Sequence, residues 1–296
     1  MANPRIPYRL SGNRPRLPPL DGRGILAHLV VNVEHWVFDE PMPRTILTPP
    51  HGRATSPDVP NFSWVDYGMR AGLSRILSLL RSRGIPASTS FNAGVIDAYP
   101  EAAAAMRDAG WEFIGHGVRQ RTLNESTLNE SRGEAGVIAE TIRRITDFTG
   151  TRPRGWLSPG LRETAETPDI LKEQGIDYVF DWMVDDLPSW MTTRHGPLIA
   201  MPYNLELNDS VIYAVEKQAT GAFAARLEHT LRLFEAECAE NVRVLALGLH
   251  PHLIGVPHRF HELVRMLDLL QASPQVTFVT GAAIADWFVR HEAPAA

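Results

Sequence analysis

The chain has one cysteine, no long apolar run and no block of like charge, and each shortage removes a class of protein. A lone Cys238 among 296 residues excludes an intrachain disulfide framework and suits a reducing compartment. It lies in "FEAECAEN", a helical pattern in which the thiol reads as a half-buried small hydrophobe. No stretch approaches the ~20 apolar residues of a membrane span. The opening "MANPRIPYRLSGNRPRLPPL" lacks the ~7–15 residue apolar segment of a secretory signal, and a cytoplasmic setting is the expectation. Net charge is −5 with acids and bases interspersed. Without a basic stripe to neutralise phosphates, nucleic acid is not an expected partner, whereas a small neutral or polar molecule is.

At 44% hydrophobic the chain can bury a large core. Prolines at 4, 7, 15, 18 and 19 block helix in residues 1–24, which read as an extended N-terminal arm that wanders or wraps a neighbour. Beyond it, β-rich apolar runs recur: "ILAHLVVNVE", "PASTSFN", "WEFIGHG", "RGWLSP", "IDYVFDW", "LIAMPYN", "VRVLALGLH" and "VTFVTG". Between most of them stand helical patterns, among them "SWVDYGMRAGLSRILSLLRSRG", "YPEAAAAMRDAG", the segment from Glu130 to Gly150, "TPDILKEQG", the segment from Gly221 to Asn241 and "HELVRMLDLLQ". Strand and helix alternating this often predict a parallel sheet, with a (β/α) barrel spanning 25–296 as one domain preferred and a doubly wound sheet as runner-up. "NESTLNES" at 124–131 reads as a polar loop.

In a parallel barrel the chemistry gathers at the strand ends. Those ends carry Glu34 and His35, His116 and Gln120, Arg162, the acidic run Asp181, Asp185 and Asp186, then Glu206, Asn208 and Asp209, and finally His250 in "LGLHPHLIG". One such histidine alone is more often a hydrogen-bonded core residue. Carboxylates, imidazoles and an arginine converging on one mouth are costly to bury unless they bind something. His250 is expected to point inward and His252, past the proline, to face the loop.

These ends resemble the polysaccharide deacetylase (NodB-homology) family, and within it the allantoinase-like and cyclic-imide hydrolase branch. The resemblance runs from about Tyr8 to Trp287 and rests on "YGMRAGLSRIL", "GHGVRQ", "GWLSPGLRET", "DDLPSW", "MPYNLELND" and "GLHPHLIGVP". It implies a distorted (β/α) barrel of about seven strands and hydrolysis of a non-peptide carbon–nitrogen bond. The family's Thr-Phe-Asp-Asp motif reads Asn-Val-Glu-His here, which puts Glu34 at the general-base position and His35 at a metal-ligand position. "HGVRQ" keeps His116 as a ligand and has Gln120 where a second histidine belongs. The resemblance thus implies either a divalent metal, zinc first, on His35, His116 and Gln120, or a metal-free site in which the same residues bond substrate. It also implies Asp185 or Asp186 as the partner of His250, and His250 as the general acid that protonates the departing nitrogen. Trp36, Pro159, Gly160, Arg162, Trp182 and Asn208 are the candidate substrate contacts. Without a metal, His35, His116 and backbone N–H groups near Gly160 would meet the oxyanion, each donor worth roughly 3–4 kcal/mol.

The connection from about 37 to 63, proline-rich with Phe38, Ile46, Leu47 and Phe62, is long enough to be a lid or a subunit contact. A covered mouth favours a small cyclic amide or imide over a polymer. The alternatives are an N-acetyl sugar deacetylase and a catalytically silent small-molecule-binding barrel. Arm and lid together, with the related allantoinases, point to a homo-oligomer, a tetramer by that analogy.

Overall fold

The protein is described here from a computed structural model, which covers residues 3–49, 53, 55–121 and 133–294. The "NESTLNES" loop, the start of the helix expected from Glu130 and part of the lid lie outside them.

All eight expected runs form strands: β1 (Ile25–Val33), β2 (Ser88–Phe91), β3 (Glu112–Gly115), β4 (Gly155–Trp156), β5 (Tyr178–Val179), β7 (Gly196–Ala200), β8 (Arg243–Leu249) and β9 (Val276–Val279). The strand missed from the sequence is β6 (Ser189–Thr193), whose "SWMTT" is too polar to signal burial. It folds back on β7 as the sheet's one antiparallel pair, turning at Gly196 with φ +107°. The sheet order is β6-β7-β5-β4-β3-β2-β1-β8. β9 pairs with Ile25–His28 of β1 while β2 pairs with Val30–Val33, so two strands share β1. The remaining gap beside β8 is bridged by irregular chain: Gly248 N–H donates to Leu207 O at 3.0 Å, and Val244 N–H to Asp186 O at 2.9 Å. The result is a curled, distorted barrel rather than the runner-up open sheet. Each residue of β1 is buried, which is why apolar residues stand on both of its faces, with His28 and Asn32 as the polar exceptions.

Helices cover the outside where the pattern placed them. The first begins at Asp58, whose carboxylate caps Asn61 N–H, and runs as α1 (Val59–Tyr67), a π-helical turn (Gly68–Gly72) and α2 (Leu73–Ser82). That turn is where "YGMRAG" earns its glycines. A Cβ at Gly72 would stand 2.0 Å from Pro251 O, and one at Gly68 2.5 Å from His252 N. The helix thereby presses directly on the loop after β8. A further helix, Gly281–His291, follows β9 and was not foreseen.

The arm does not wander but is laid on its own barrel: Arg5 pairs with Asp169 at 2.8 Å, Arg14 with Asp185 at 3.3 Å and Glu292 at 3.1 Å, and Leu17 is buried. Proline removed the helix option, and ion pairs plus one apolar anchor supplied the docking.

Candidate active site

Because the strands are parallel, their C-terminal ends open on one mouth, where a cavity of about 790 Å³ is lined by Glu34, Trp36, His116, Gln120, Asn208 and His250 among others. Pro159, Gly160 and Arg162 line it as well, as do Pro41, Met42 and Arg44 of the long connection. Arg44 reaches across to the Ser210 hydroxyl.

At the centre is His250, the first residue after β8. Its Nδ1 lies 2.6 Å from Asp209 Oδ1, and Asp209 Oδ2 accepts the backbone N–H of His250 at 2.7 Å and of Ile254 at 3.2 Å. On its other side, Nε2 stands 3.6 Å from Glu34 Oε1. Glu34 is fixed in turn by the Trp36 indole, which donates to Oε2 at 2.7 Å. Burial would lower the imidazole's pKa, but Asp209 and Glu34 outweigh it and push His250 up to about 9. Burial would raise Glu34, yet the hydrogen bond and charge of His250 bring it down to about 2. The two form a buried ion pair over the neutral range.

Asp209 thus takes the place that the family resemblance gave to Asp185 or Asp186. Asp185 instead accepts from Arg14 and Ser11 on the arm, and Asp186 lines a neighbouring cavity, its backbone carbonyl held by Val244. The reason is positional. The irregular segment beside β8 pairs Asn208 with Gly248, so the next residue, Asp209, comes level with the strand end.

The metal set is also taken apart. His35 takes part in the site through its backbone, which accepts from Gln120 N–H at 3.0 Å, while its imidazole packs edge-on to Tyr99 and against Gly94 outside the cavity. That leaves His116 and one amide from the three implied ligands, and among the described residues no three His, Cys, Asp or Glu side chains are arranged to hold an ion. The donor set does not fit the implied metal.

His116 is buried and its Nδ1 lies 2.6 Å from Leu157 O. A carbonyl accepts only, so Nδ1 carries the proton and Nε2 presents a lone pair. Burial lowers its pKa, keeping the ring neutral.

Trp182 does not reach this cavity; its indole bonds Glu163 and it borders the second one. Arg119 is spent on Glu40 at the surface. The sequence reading missed His252, which is not turned to the loop but lines the cavity, its ring 4.6 Å from that of Trp64 and 5.8 Å from that of Trp36. Burial drives its pKa down to about 3. It also missed Asn32 and Tyr203 at the base of the cavity, joined at 3.1 Å, with Asn208 donating to the same phenol at 3.1 Å. Asn32 had a signal, standing two residues before Glu34 on the same face of β1. Asp181, one residue beyond Phe180, grips Ser158 N–H with both oxygens at 3.0 and 3.1 Å and so holds the turn carrying Pro159 and Gly160.

Fold and site together give a curled barrel with a buried carboxylate–imidazole pair at its mouth. Residues 61–179 match the polysaccharide deacetylase family model, and this match together with the deacetylase homologues indicates a C–N amide hydrolase. Glu34, Asp209 and His250 lie outside the matched span. The crystal structure of Puue allantoinase is similar at TM-score 0.83 and 28% identity, over 96% of this chain and 97% of that one. A probable polysaccharide deacetylase of Pseudomonas aeruginosa PAO1 is similar at TM-score 0.81 and 28% identity, with the same coverage. A Schizosaccharomyces pombe relative named "Putative polysaccharide deacetylase" is 26% identical over 77% of this chain and 76% of its own length.

Proposed function

We propose that the protein opens a small cyclic amide or imide by adding water across a ring C–N bond. The observation that carries this is the ion pair of Glu34 and His250, 3.6 Å apart, facing a cavity that the connection after β1 partly covers. Likeness to an allantoinase supports the same substrate class.

Glu34 takes a proton from water as the water oxygen bonds to the ring carbonyl carbon. His250, held cationic by Asp209, gives its Nε2 proton to the ring nitrogen as the C–N bond breaks. Losing that proton removes the cation that depressed Glu34, whose basicity rises when it must hold the proton taken from water. Return of the proton from Glu34 to His250 resets both groups. In the Ser158–Arg162 turn the N–H groups of Ser158, Leu161 and Arg162 are bonded within the fold, which leaves that of Gly160 to meet the tetrahedral oxyanion. Arg162, exposed at the rim, is placed to attract a carbonyl or carboxylate of the substrate.

Deacetylation of an N-acetyl sugar is the second reading. It is favoured by a second cavity of about 770 Å³ that shares Met183, Tyr203 and Leu205 with the first and would lengthen the binding surface. Turnover of hydantoin, succinimide, allantoin and acetylated chitooligosaccharides in parallel separates the two. Ring opening that Glu34→Gln abolishes supports the first reading, and acetate release from the oligosaccharides alone overturns it. Saturable binding without product marks a silent barrel. Homo-oligomerisation is read from the outer face of the lid, where Phe38, Ile46 and Leu47 are exposed, and sedimentation equilibrium checks it.

A further inference from the structure

The chain is acidic, with 34 Asp and Glu against 29 Lys and Arg, yet its mouth is not. The cavity is lined by one carboxylate, Glu34, and by three guanidiniums, those of Arg44, Arg121 and Arg162. Two of these charges are answered inside the fold, Glu34 by His250 and Arg121 by Glu40 at 3.4 Å. Arg44 and Arg162 meet no carboxylate among the described residues. Arg162 is exposed at the rim after β4. Arg44 is placed differently: the connection after β1 carries it half-buried into the mouth, where its bond to the neutral Ser210 hydroxyl uses one of five N–H donors. Ser210 follows Asp209, the residue behind His250. Burial and the charge of His250 lower the pKa of His252, and the Arg44 guanidinium lowers it further, so this cation is within electrostatic reach of the site. A half-buried guanidinium without a counter-ion is costly to keep, and its fork matches a planar carboxylate.

We propose that Arg44 is an anion receptor on the connection after β1, and that the substrate bears a carboxylate in addition to the ring amide, which Arg44 binds in place of the Ser210 hydroxyl. This deepens the ring-opening reading and rests on it. It narrows the substrates from cyclic amides in general to those with an acidic substituent. With Arg162 at the rim, it also gives a reason for a basic mouth on an acidic protein, since an anion is drawn to the cavity that the rest of the surface repels.

The test compares two probes that share one ring, hydantoin-5-acetic acid and its methyl ester, by calorimetric binding and by turnover. The acid is expected to bind about tenfold or more tightly than the ester, and added salt to erode that advantage while the ester's affinity holds. Arg44→Gln collapses the preference, acting on KM for the acid more than on kcat; Arg44→Lys, which keeps the charge but loses the fork, restores part of it. Acid and ester bound alike by the unmodified protein overturn the receptor even if both rings are opened. A preference for the acid that survives Arg44→Gln places the carboxylate elsewhere and overturns it as well. Acid bound tightly through Arg44 while neither ring is ever opened upholds the receptor and removes the ring-opening reading instead.

Discussion

At the mouth of the barrel His250 stands between two carboxylates, with Asp209 at 2.6 Å and Glu34 at 3.6 Å. At the floor, a second buried histidine, His28, meets the Ser88 hydroxyl at 2.7 Å, and the carboxylate of Glu112 lies one step further, bonded to Ser88, to the Tyr178 phenol and to the Gly281 and Ala282 N–H groups at 2.8 Å. Residue types are nearly the same and consequences opposite. With no carboxylate in contact, burial alone acts on His28 and drives its pKa down to about 3. With two, the same burial is overcome and His250 rises to about 9. At the floor the N-terminus of the last helix satisfies Glu112, although His28 Nδ1 has no partner among the described residues; the mouth opens on a cavity. A buried carboxylate met by backbone donors stabilises, and one that faces a cavity is left to bind.

The largest effect that would break this contrast is chemical. His250→Ala is expected to lower kcat/KM for the ring substrate by about three orders of magnitude, and to cost stability as well because it strands the buried carboxylates of Asp209 and Glu34. A loss of activity no larger than the unfolded fraction accounts for would reduce His250 to a packing residue. Next comes Asp209→Asn, which keeps the shape but removes the charge behind His250; kcat is expected to fall about a hundredfold, and the pH at which activity declines on the alkaline side should move down. In the unmodified enzyme activity falls as pH rises through about 9, because His250 then loses the proton it must donate.

At the floor the expected loss is of stability. Glu112→Ala strands the Ser88 and Tyr178 hydroxyls and two N–H groups, at a cost of about 3 kcal/mol by denaturant titration, with activity of the folded enzyme little changed. The two histidines also differ in sign against pH. His250, raised above the ordinary 6.5, contributes stability that is full below that value and is lost as pH climbs to about 9. His28, lowered from the same 6.5, stays neutral in the fold while the unfolded chain takes up a proton, so stability falls as pH drops from there toward 3. His250→Gln should flatten the alkaline side of the stability profile alone. The smallest expected effect is that of Gly72→Ala, about 1–3 kcal/mol, as the helix is pushed off Pro251; its signature is a loss of activity out of proportion to that cost, because His250 and His252 flank the displaced residue.

Much of the site was legible at the level of which residues end strands. Glu34, His116, Gln120, Pro159, Gly160, Arg162, Asn208 and His250 all reach the cavity. What misled was motif order. The resemblance put the partner of His250 in "DDLPSW", but the neighbour of β8 is the chain around Asn208, and no spacing in the sequence announces that adjacency. His35 failed for a different reason: after β1 the chain leaves the sheet, so alternation no longer says which way a side chain points, and the pocket beside Gly94 and Tyr99 took the imidazole. β6 was invisible because its partner is a hairpin strand and its face is only half-buried.

The amino-acid order alone decided the parallel strands, since runs of buried residues separated by amphipathic helices have one economical way to hide their apolar faces, and it decided that polar groups would crowd their ends. Three-dimensional packing decided which of those groups meet. Hydrogen bonds of 2.6 Å depend on strand neighbours that sit 41 residues apart in the chain, and such proximity is set by how the sheet curls and closes.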